Sequence, residues 1–204
     1  MKIKICGLKT IEDIQMANRQ KPDFVGFVFA GRKRKVTQKQ AAEMKRHLLP
    51  EIKSVGVFVN EEQSRIIELA ETGVLDYIQL HGDEDETYIR RLKEKLTKPM
   101  IKAIRVRNRE DILRAQELPC EYLLLDTYKA DEYGGSGETF RWDLIPELKK
   151  LYFLAGGLNS ENISEALRWC RPWAVDVSSS VEKDGKKDEV KVKRFIEALK
   201  ACSI

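Results

Sequence analysis

Eight short apolar runs, rich in β-branched and aromatic residues, alternate along the 204-residue chain with stretches of helical periodicity. The runs predict strands at 2–6, 23–29, 54–59, 75–80, 99–104, 121–126, 151–155 and 173–178. The stretches between and after them predict helices near 10–20, 37–48, 61–72, 85–96, 108–116, 142–149, 160–169 and 188–201. Apolar strands separated by helices are typical of a parallel sheet that is covered on both faces.

The number of β/α units predicts a single-domain (β/α)8 TIM barrel over residues 1–204. Right-handed crossovers wind successive parallel strands in one direction until the sheet meets itself. No Pro/Gly/Ser-rich linker divides the chain. An open doubly wound sheet of about six strands is the alternative. The first strand, however, is followed by Cys6-Gly7-Leu8-Lys9-Thr10 rather than by the G-x-G-x-x-G of a dinucleotide site.

Three helix starts carry recognisable polar residues, and one of them is Asn159-Ser160-Glu161 at the seventh predicted helix. Thr37 stands three residues before Gln40, which predicts a capping box at the second helix. Asn60 precedes Glu61-Glu62, which predicts that Asn60 caps the third helix.

Composition and charge argue against several classes of protein. The longest apolar runs fall far short of the roughly 20 residues that cross a bilayer, and the amino terminus shows no signal-peptide pattern, so a cytoplasmic protein without membrane contact is expected. Four scattered cysteines predict reduced thiols rather than a zinc or redox motif. The net charge of +4 is concentrated in residues 32–35 and 183–187 without interleaved aromatic residues. That pattern favours a local anion site over a nucleic-acid surface.

Polar or glycine residues stand at the ends of several predicted strands. These stops are Cys6, Asn60, His81, Asp126, Gly156-Gly157 and Ser178-Ser179-Ser180. Because ligands bind at the carboxyl ends of barrel strands, we expect these residues to share one active site.

The last two strand ends predict a phosphate site. Glycines let the backbone approach an anion closely, and serine hydroxyls add donors. At the first and sixth strand ends, Cys6 and Asp126 would face the same cavity. A thiol and a carboxyl group so placed form an acid–base pair for proton transfer, which fits isomerisation of a sugar phosphate.

The longest connection runs from Thr127 to Arg141 and contains Tyr133-Gly134-Gly135-Ser136-Gly137. Long loops in compact domains are usually functional or disordered, and this one directly follows Asp126. We therefore predict that it is an active-site lid.

Eight segments in order closely resemble the phosphoribosylanthranilate isomerase family of tryptophan biosynthesis. They are Lys4-Ile5-Cys6-Gly7, Val25-Gly26-Phe27-Val28-Phe29, Val55-Gly56-Val57-Phe58-Val59-Asn60, Gln79-Leu80-His81-Gly82, Leu125-Asp126-Thr127, Tyr133-Gly134-Gly135-Ser136-Gly137, Ala155-Gly156-Gly157-Leu158-Asn159 and Val175-Asp176-Val177-Ser178-Ser179. The resemblance implies an Amadori rearrangement of N-(5-phosphoribosyl)anthranilate to 1-(2-carboxyphenylamino)-1-deoxyribulose 5-phosphate. It also implies that the reaction uses no metal and no organic cofactor.

The resemblance assigns roles residue by residue. Asp126 would be the general acid and Cys6 the general base, with a thiol pKa lowered by a nearby positive charge or by the imine itself. Arg34 would bind the anthranilate carboxylate. Further substrate contacts are expected at Gln79, His81, Gly156, Gly157, Asp176, Ser178, Ser179 and Ser180. Ser180 departs from the glycine that the family typically has, which would matter if that position needs positive φ or a bare backbone.

Some alternatives stay open. For His81 we favour a structural or substrate-adjacent role, with catalysis as the alternative. The acidic residues 83–86 are predicted to mark the start of the fourth helix. A histidine-pathway aminoaldose isomerase and a non-catalytic phosphate-binding barrel are the competing functions. The expected partner is a small phosphosugar, and the protein could work as a monomer or a homodimer.

Overall fold

Eight parallel strands close into a barrel in sequential order in the computed structural model, which describes residues 1–127, 139 and 141–202. Their bounds are β1 Lys2–Cys6, β2 Phe24–Val28, β3 Lys53–Phe58, β4 Tyr77–Leu80, β5 Met100–Val106, β6 Tyr122–Thr127, β7 Leu151–Leu154 and β8 Ala174–Val177. β1 closes the ring against β8, with Lys4 opposite Asp176. The predicted (β/α)8 barrel is confirmed, and every strand bound lies within about two residues of its prediction, the usual error of such boundaries.

Seven α-helices follow the strands within the described ranges. They are α1 Ile11–Gln20, α2 Gln38–His47, α3 Gln63–Glu71, α4 Glu86–Lys93, α5 Arg109–Ala115, α6 Ile163–Trp169 and α7 Glu189–Ala201. In the part of the chain that the structure describes, none of these helices is long and apolar enough to cross a membrane.

The helix predicted over 142–149 is wrong. Only a 3₁₀ turn, Trp142–Leu144, forms there, and Ile145 already has an extended backbone with φ −74° and ψ 113°. Pro146 is the cause, because proline has no N–H to donate and disfavours helical geometry in the residue before it. The lid predicted over 127–141 lies outside the described residues except for Thr127, Thr139 and Arg141.

The predicted helix caps have different outcomes. Asn159 is not the cap of α6, whose N-cap is Asn162, and the Asn159 side chain instead accepts the Asn162 N–H. The Thr37 hydroxyl accepts the Gln40 N–H while the Gln40 side chain accepts the Thr37 N–H, so the capping box is confirmed. Asn60 is not a cap, because α3 begins two residues after Glu61 and its N-cap is Glu62. Asn60 instead has left-handed φ of 49°, and its side chain accepts the Asp83 N–H.

Two apolar layers hold the barrel together. A large shell packs the outward faces of the strands against the helices, and a smaller cluster fills the barrel interior. At the amino-terminal end of the barrel, the ring of Phe24 lies 5.3 Å from that of Tyr77 and 5.5 Å from that of Phe153, and Tyr122 stacks on Trp173 at 4.8 Å. These edge-to-face and stacked rings fill the barrel below the carboxyl ends of the strands.

A small hairpin stands between β8 and α7. Its strands are β9, Glu182–Lys183, and β10, Lys186–Lys187. The two turn residues between them, Asp184 and Gly185, have φ of 52° and 73°, which is the turn geometry that suits a two-residue hairpin. The hairpin thus projects from the loop that follows the last barrel strand.

Candidate active site

A cavity of about 660 Å³ opens at the carboxyl ends of the barrel strands. It brings together the strand-end residues that the sequence predicted, apart from Asn60, and adds Arg34, although these come from five different strand ends and one loop. The set is Cys6, Arg34, Gln79, His81, Asp126, Gly156, Gly157, Asp176, Ser178, Ser179 and Ser180. Val28 and Val57 form part of the apolar wall of the same cavity. One enclosed surface therefore carries a thiol, carboxylates, an imidazole, a guanidinium and two polar loops.

Cys6 stands beside a buried ion pair that the sequence analysis did not predict. Lys4 lies two residues before Cys6 on the same face of β1, and Asp176 is its partner in register on β8. The Lys4 Nζ donates to both carboxylate oxygens of Asp176 at 3.0 Å. The Lys4 side chain has 0% exposure, so the pair is desolvated and each charge needs the other.

Opposing effects set the protonation of the thiol. Burial raises the pKa of Cys6 above its ordinary value of 9.0, while the nearby ammonium groups of Lys4 and Lys187 act to lower it. Burial alone would lower the pKa of Lys4, but the Asp176 carboxylate holds that pKa above its ordinary value, so Lys4 remains a cation. The positive charge that we expected beside Cys6 is present. The lowered thiol pKa is not found, because desolvation outweighs the charge.

Asp126 ends a chain of three side chains from β4 and β6. The Gln79 Nε2 lies 2.8 Å from Nδ1 of His81, and Nε2 of His81 lies 3.2 Å from Oδ2 of Asp126. The other carboxylate oxygen, Oδ1, accepts the backbone N–H of Thr127 at 2.8 Å. All three side chains are buried, so Asp126 is held in one orientation at the cavity wall.

Glycine at position 156 is required by close packing against Asp126. Gly156 has φ of 81°, and a Cβ built on it would lie 2.3 Å from Oγ1 of Thr127 and 2.9 Å from Oδ1 of Asp126. A side chain would therefore collide with the carboxylate as well as strain the backbone. This requirement belongs to the position of Asp126 and is independent of any anion.

The three serines after β8 are placed differently from one another. Ser178 donates its hydroxyl to the backbone carbonyl of Cys6 at 3.0 Å, which ties this loop to the end of β1. A 3₁₀ turn covers Ser179–Val181. The Ser180 hydroxyl is buried and has no hydrogen-bond partner among the described residues. Ser180 does not have a positive φ, so serine strains no left-handed backbone at this position.

Arg34 reaches the cavity with its guanidinium already paired. Its Nε donates to Oε1 of Glu182 at 2.8 Å and its Nη2 donates to Oε2 at 2.9 Å. The hydrogen bonds to Glu182 raise the pKa of Arg34. Burial would raise the pKa of Glu182, but Arg34 and Lys187 together lower it to about 2.

The acidic residues 83–86 divide into two roles. Asp85 caps α4 by accepting the Tyr88 N–H, which confirms the predicted helix start. Glu84 is buried instead and accepts from Lys102 Nζ and from the Gly82 N–H, both at 2.9 Å. This ion pair supports the turn that directly follows His81.

Sequence reasoning missed Lys4, Glu84, Glu182 and Lys187. Lys4 carries a local signal, since a lysine inside an apolar strand and in step with Cys6 must point into the barrel. Glu182 carries none, because its partner Arg34 comes from a distant part of the chain. Lys187 was noted only as part of the basic run 183–187, without its contacts to Ser178 and Glu182.

The closed barrel and its cavity define a class, the (β/α)8-barrel enzymes, whose active sites lie at the carboxyl ends of the strands. The family model for N-(5'phosphoribosyl)anthranilate (PRA) isomerase matches residues 3–198. The chain belongs to this isomerase family. The resemblance found in the sequence is thereby confirmed, and so is the isomerase of tryptophan biosynthesis at the level of the family.

Individual relatives are similar to this chain along almost its whole length. The N-(5'-phosphoribosyl)anthranilate isomerase of Endomicrobium trichonymphae is 48% identical over 200 residues, which cover 98% of each chain. The crystal structure of the Thermotoga maritima phosphoribosyl anthranilate isomerase is 38% identical, with a TM-score of 0.85 over 98% of this chain and 99% of that one. Another structure, 36% identical with a TM-score of 0.82 over the same shares, is a phosphoribosyl anthranilate isomerase in complex with reduced 1-(o-carboxyphenylamino)-1-deoxyribulose 5-phosphate.

Proposed function

We propose that this protein catalyses the Amadori rearrangement of N-(5-phosphoribosyl)anthranilate to 1-(2-carboxyphenylamino)-1-deoxyribulose 5-phosphate, with Asp126 as general acid and Cys6 as general base. One observation carries the proposal. The thiol and the carboxyl group line the same cavity as the loops after β7 and β8, where barrel enzymes hold phosphate. A phosphosugar anchored by those loops would present its ring to both groups.

Asp126 opens the sugar ring in this proposal. Its carboxyl proton passes to the furanose ring oxygen, the bond between that oxygen and C1′ breaks, and the anthranilate nitrogen takes up the positive charge as a protonated imine. The hydrogen bonds from His81 and the Thr127 N–H suit this step, because they stabilise the carboxylate that remains.

Cys6 then acts at carbon. Its thiolate takes the proton from C2′, the electron pair forms the C1′–C2′ double bond, and the imine electrons return to nitrogen to give an enolamine. Tautomerisation moves the C2′ hydroxyl proton to C1′ and produces the ketone. Asp126 has then lost one proton and Cys6 has gained another, and transfer of a proton from Cys6 back to Asp126 restores both groups. Lys4 favours the thiolate, and the cationic imine favours it further, which offsets the burial of the thiol.

The phosphate is proposed to bind between the two loops at the seventh and eighth strand ends. Gly156 and Gly157 both have positive φ, which brings bare backbone to the cavity surface. Ser179 begins the short 3₁₀ turn that follows β8. Ser180 lines the cavity, and its buried hydroxyl has no protein partner in the described chain. We propose that Ser180 donates to a phosphate oxygen.

The anthranilate carboxylate is proposed to bind Arg34. Arg34 lines the cavity, and the planar fork of its guanidinium matches a planar carboxylate better than an ammonium does. Gln79, His81 and Asp176 border the space between the two anionic ends of the substrate.

Turnover of two substrates tests the proposal. Purified protein is given freshly generated phosphoribosylanthranilate, whose fluorescence decays on conversion, and separately the histidine-pathway aminoaldose, both with chelator present. We expect rapid conversion of the anthranilate compound alone. Comparable turnover of the aminoaldose, or no turnover of either by a folded protein, would contradict the proposal.

A further inference from the structure

We propose that Glu182 is a positioning residue that orients the Arg34 guanidinium so that one free edge faces the substrate carboxylate. The inference rests on the proposed function, because it concerns the carboxylate end of the same substrate. It assigns a role to the hairpin β9–β10, which the proposed reaction does not otherwise use.

Glu182 binds one edge of the Arg34 guanidinium and leaves the other edge without a hydrogen-bond partner among the described residues. Its carboxylate oxygens accept from Nε and Nη2 of Arg34 at 2.8 and 2.9 Å. A guanidinium has a second bidentate edge, formed by Nη1 and the remaining N–H of Nη2. Because Glu182 fixes the plane of the group, it also fixes the direction of this second edge. The side chains of Arg34 and Glu182 are only 22% and 12% exposed, so the pair is not a loose surface contact.

The stem of Arg34 lies against the residue that follows the proposed base. A Cβ built on Gly7 would be 2.5 Å from Cδ of Arg34, and Gly7 itself has φ of 86°. The arginine thus crosses directly over the end of β1. A rotation of its guanidinium would turn the second edge away from a carboxylate bound there and weaken its binding.

Glu182 is itself fixed from the opposite side. Its Oε1 also accepts from Lys187 Nζ at 2.7 Å, and the same ammonium donates to the carbonyl of Ser178 at 2.9 Å. Lys191 Nζ donates to the Glu182 carbonyl at 2.7 Å. The Lys187 side chain is 1% exposed, so this member of the basic cluster at residues 183–187 is an internal support. One carboxylate between two cations leaves a net positive charge, which suits an anionic ligand.

The opposite role would be competition, in which Glu182 occupies Arg34 and must be displaced by substrate. The two roles predict opposite effects of Glu182→Gln, which removes the charge and one acceptor oxygen. Positioning predicts weaker carboxylate binding, and competition predicts tighter binding. Glu189→Gln is the matched control, because Glu189 holds Arg19 through the same two donor atoms, at 2.9 and 2.7 Å, on the surface.

The test measures steady-state kinetics and direct binding of two probes, anthranilate and inorganic phosphate, by calorimetry. In Glu182→Gln we expect KM for phosphoribosylanthranilate and Kd for anthranilate to rise about ten-fold, the effect of weakening one charge-assisted contact, with kcat and Kd for phosphate within about two-fold. Glu182→Asp should recover part of the loss, and Glu189→Gln should match wild type. In an Arg34→Lys background, Glu182→Gln should add little, because both changes act through one group.

Two outcomes would overturn the proposal. Unchanged or tighter anthranilate binding in Glu182→Gln contradicts positioning, and equal loss of phosphate and anthranilate binding assigns Glu182 to the hairpin fold alone. The binding measurements also distinguish the positioning role of Glu182 from the proposed reaction. An inactive wild type whose anthranilate binding still depends on Glu182 would contradict the proposed reaction and support the positioning role.

Discussion

His81 lies between Gln79 and Asp126, with Nδ1 2.8 Å from the Gln79 amide nitrogen and Nε2 3.2 Å from Oδ2 of Asp126. Because an amide nitrogen donates, we expect Nδ1 to accept in this arrangement and the ring proton to reside on Nε2, facing Asp126. The imidazole is therefore placed to stabilise the carboxylate that Asp126 becomes after it has given up its proton.

We expect His81→Ala to lower kcat about ten-fold or more, because the Asp126 carboxylate loses one of the two donors that it has among the described residues. The KM should change little, since the interaction develops in the transition state. Steady-state kinetics measure both parameters, and ¹⁵N resonances of His81 report the tautomer in wild type. A proton on Nδ1, or an unchanged kcat in the variant, would contradict this relationship. His47→Ala, on the exposed surface of α2, is the control.

The buried thiol predicts an unusual pH dependence. If Cys6 acts as thiolate, kcat/KM rises with pH through the pKa of the thiol in free protein, which burial places above 9.0. Lys4 stabilises the thiolate, so removing its charge in Lys4→Met raises that pKa and moves the rise of kcat/KM to higher pH. Lys4→Arg keeps the charge and should leave the rise at the same pH.

Ultraviolet absorbance of the thiolate, followed against pH, measures the same ionisation without turnover. Lys39→Met, which removes an exposed lysine from α2, controls for general loss of charge. If the rise of kcat/KM in Lys4→Met stays at the same pH or moves to lower pH, Lys4 does not act on Cys6.

Ser180→Ala tests the phosphate loop. We expect KM to rise about three- to ten-fold with little change in kcat, because a neutral hydrogen bond to the substrate phosphate is lost. The midpoint temperature of unfolding should not change, since the hydroxyl has no protein partner in the described part of the chain. Ser164→Ala, exposed on α6, is the matched control. A lower KM in Ser180→Ala would mean that the hydroxyl obstructs the anion.

Glu84 supports the fold rather than the reaction. Glu84→Ala leaves Lys102 buried without its carboxylate, so we expect a loss of about 3–5 kcal/mol in the free energy of unfolding. Glu86→Ala, on the exposed face of α4, should change that free energy by about 0.5 kcal/mol or less. Denaturant titration measures both. Equal effects of the two substitutions would contradict a buried, uncompensated charge at Lys102.

The barrel was predictable from the sequence because its signal is repeated eight times, and an error in one unit leaves the rest intact. The helix over 142–149 failed at one residue, since Pro146 breaks a pattern that periodicity alone favours. The cap predicted at Asn60 was wrong for another reason. A short polar side chain can accept from several nearby N–H groups, and Asn60 accepts the Asp83 N–H after the next strand rather than a helix N–H.

The candidate site was predictable where chemistry coincides with a strand end, as it does at Cys6 and Asp126. Its supporting charges were not, because Lys4–Asp176, Arg34–Glu182 and Lys102–Glu84 join distant parts of the chain. The pKa of Cys6 shows the same limit. A nearby cation predicts a lowered value, and only the degree of burial reveals that desolvation prevails.

The acid–base pair is tested most directly by turnover of phosphoribosylanthranilate that carries deuterium at C2′, in wild type, Cys6→Ser and Asp126→Asn. Cys120→Ser, a buried thiol away from the cavity, is the control. We expect both site variants to lose about 10³-fold or more in kcat while they stay folded and bind inorganic phosphate. Where proton removal limits residual turnover, as in Cys6→Ser, a primary isotope effect should appear. Retention of wild-type turnover in either site variant would contradict the assignment of Cys6 and Asp126.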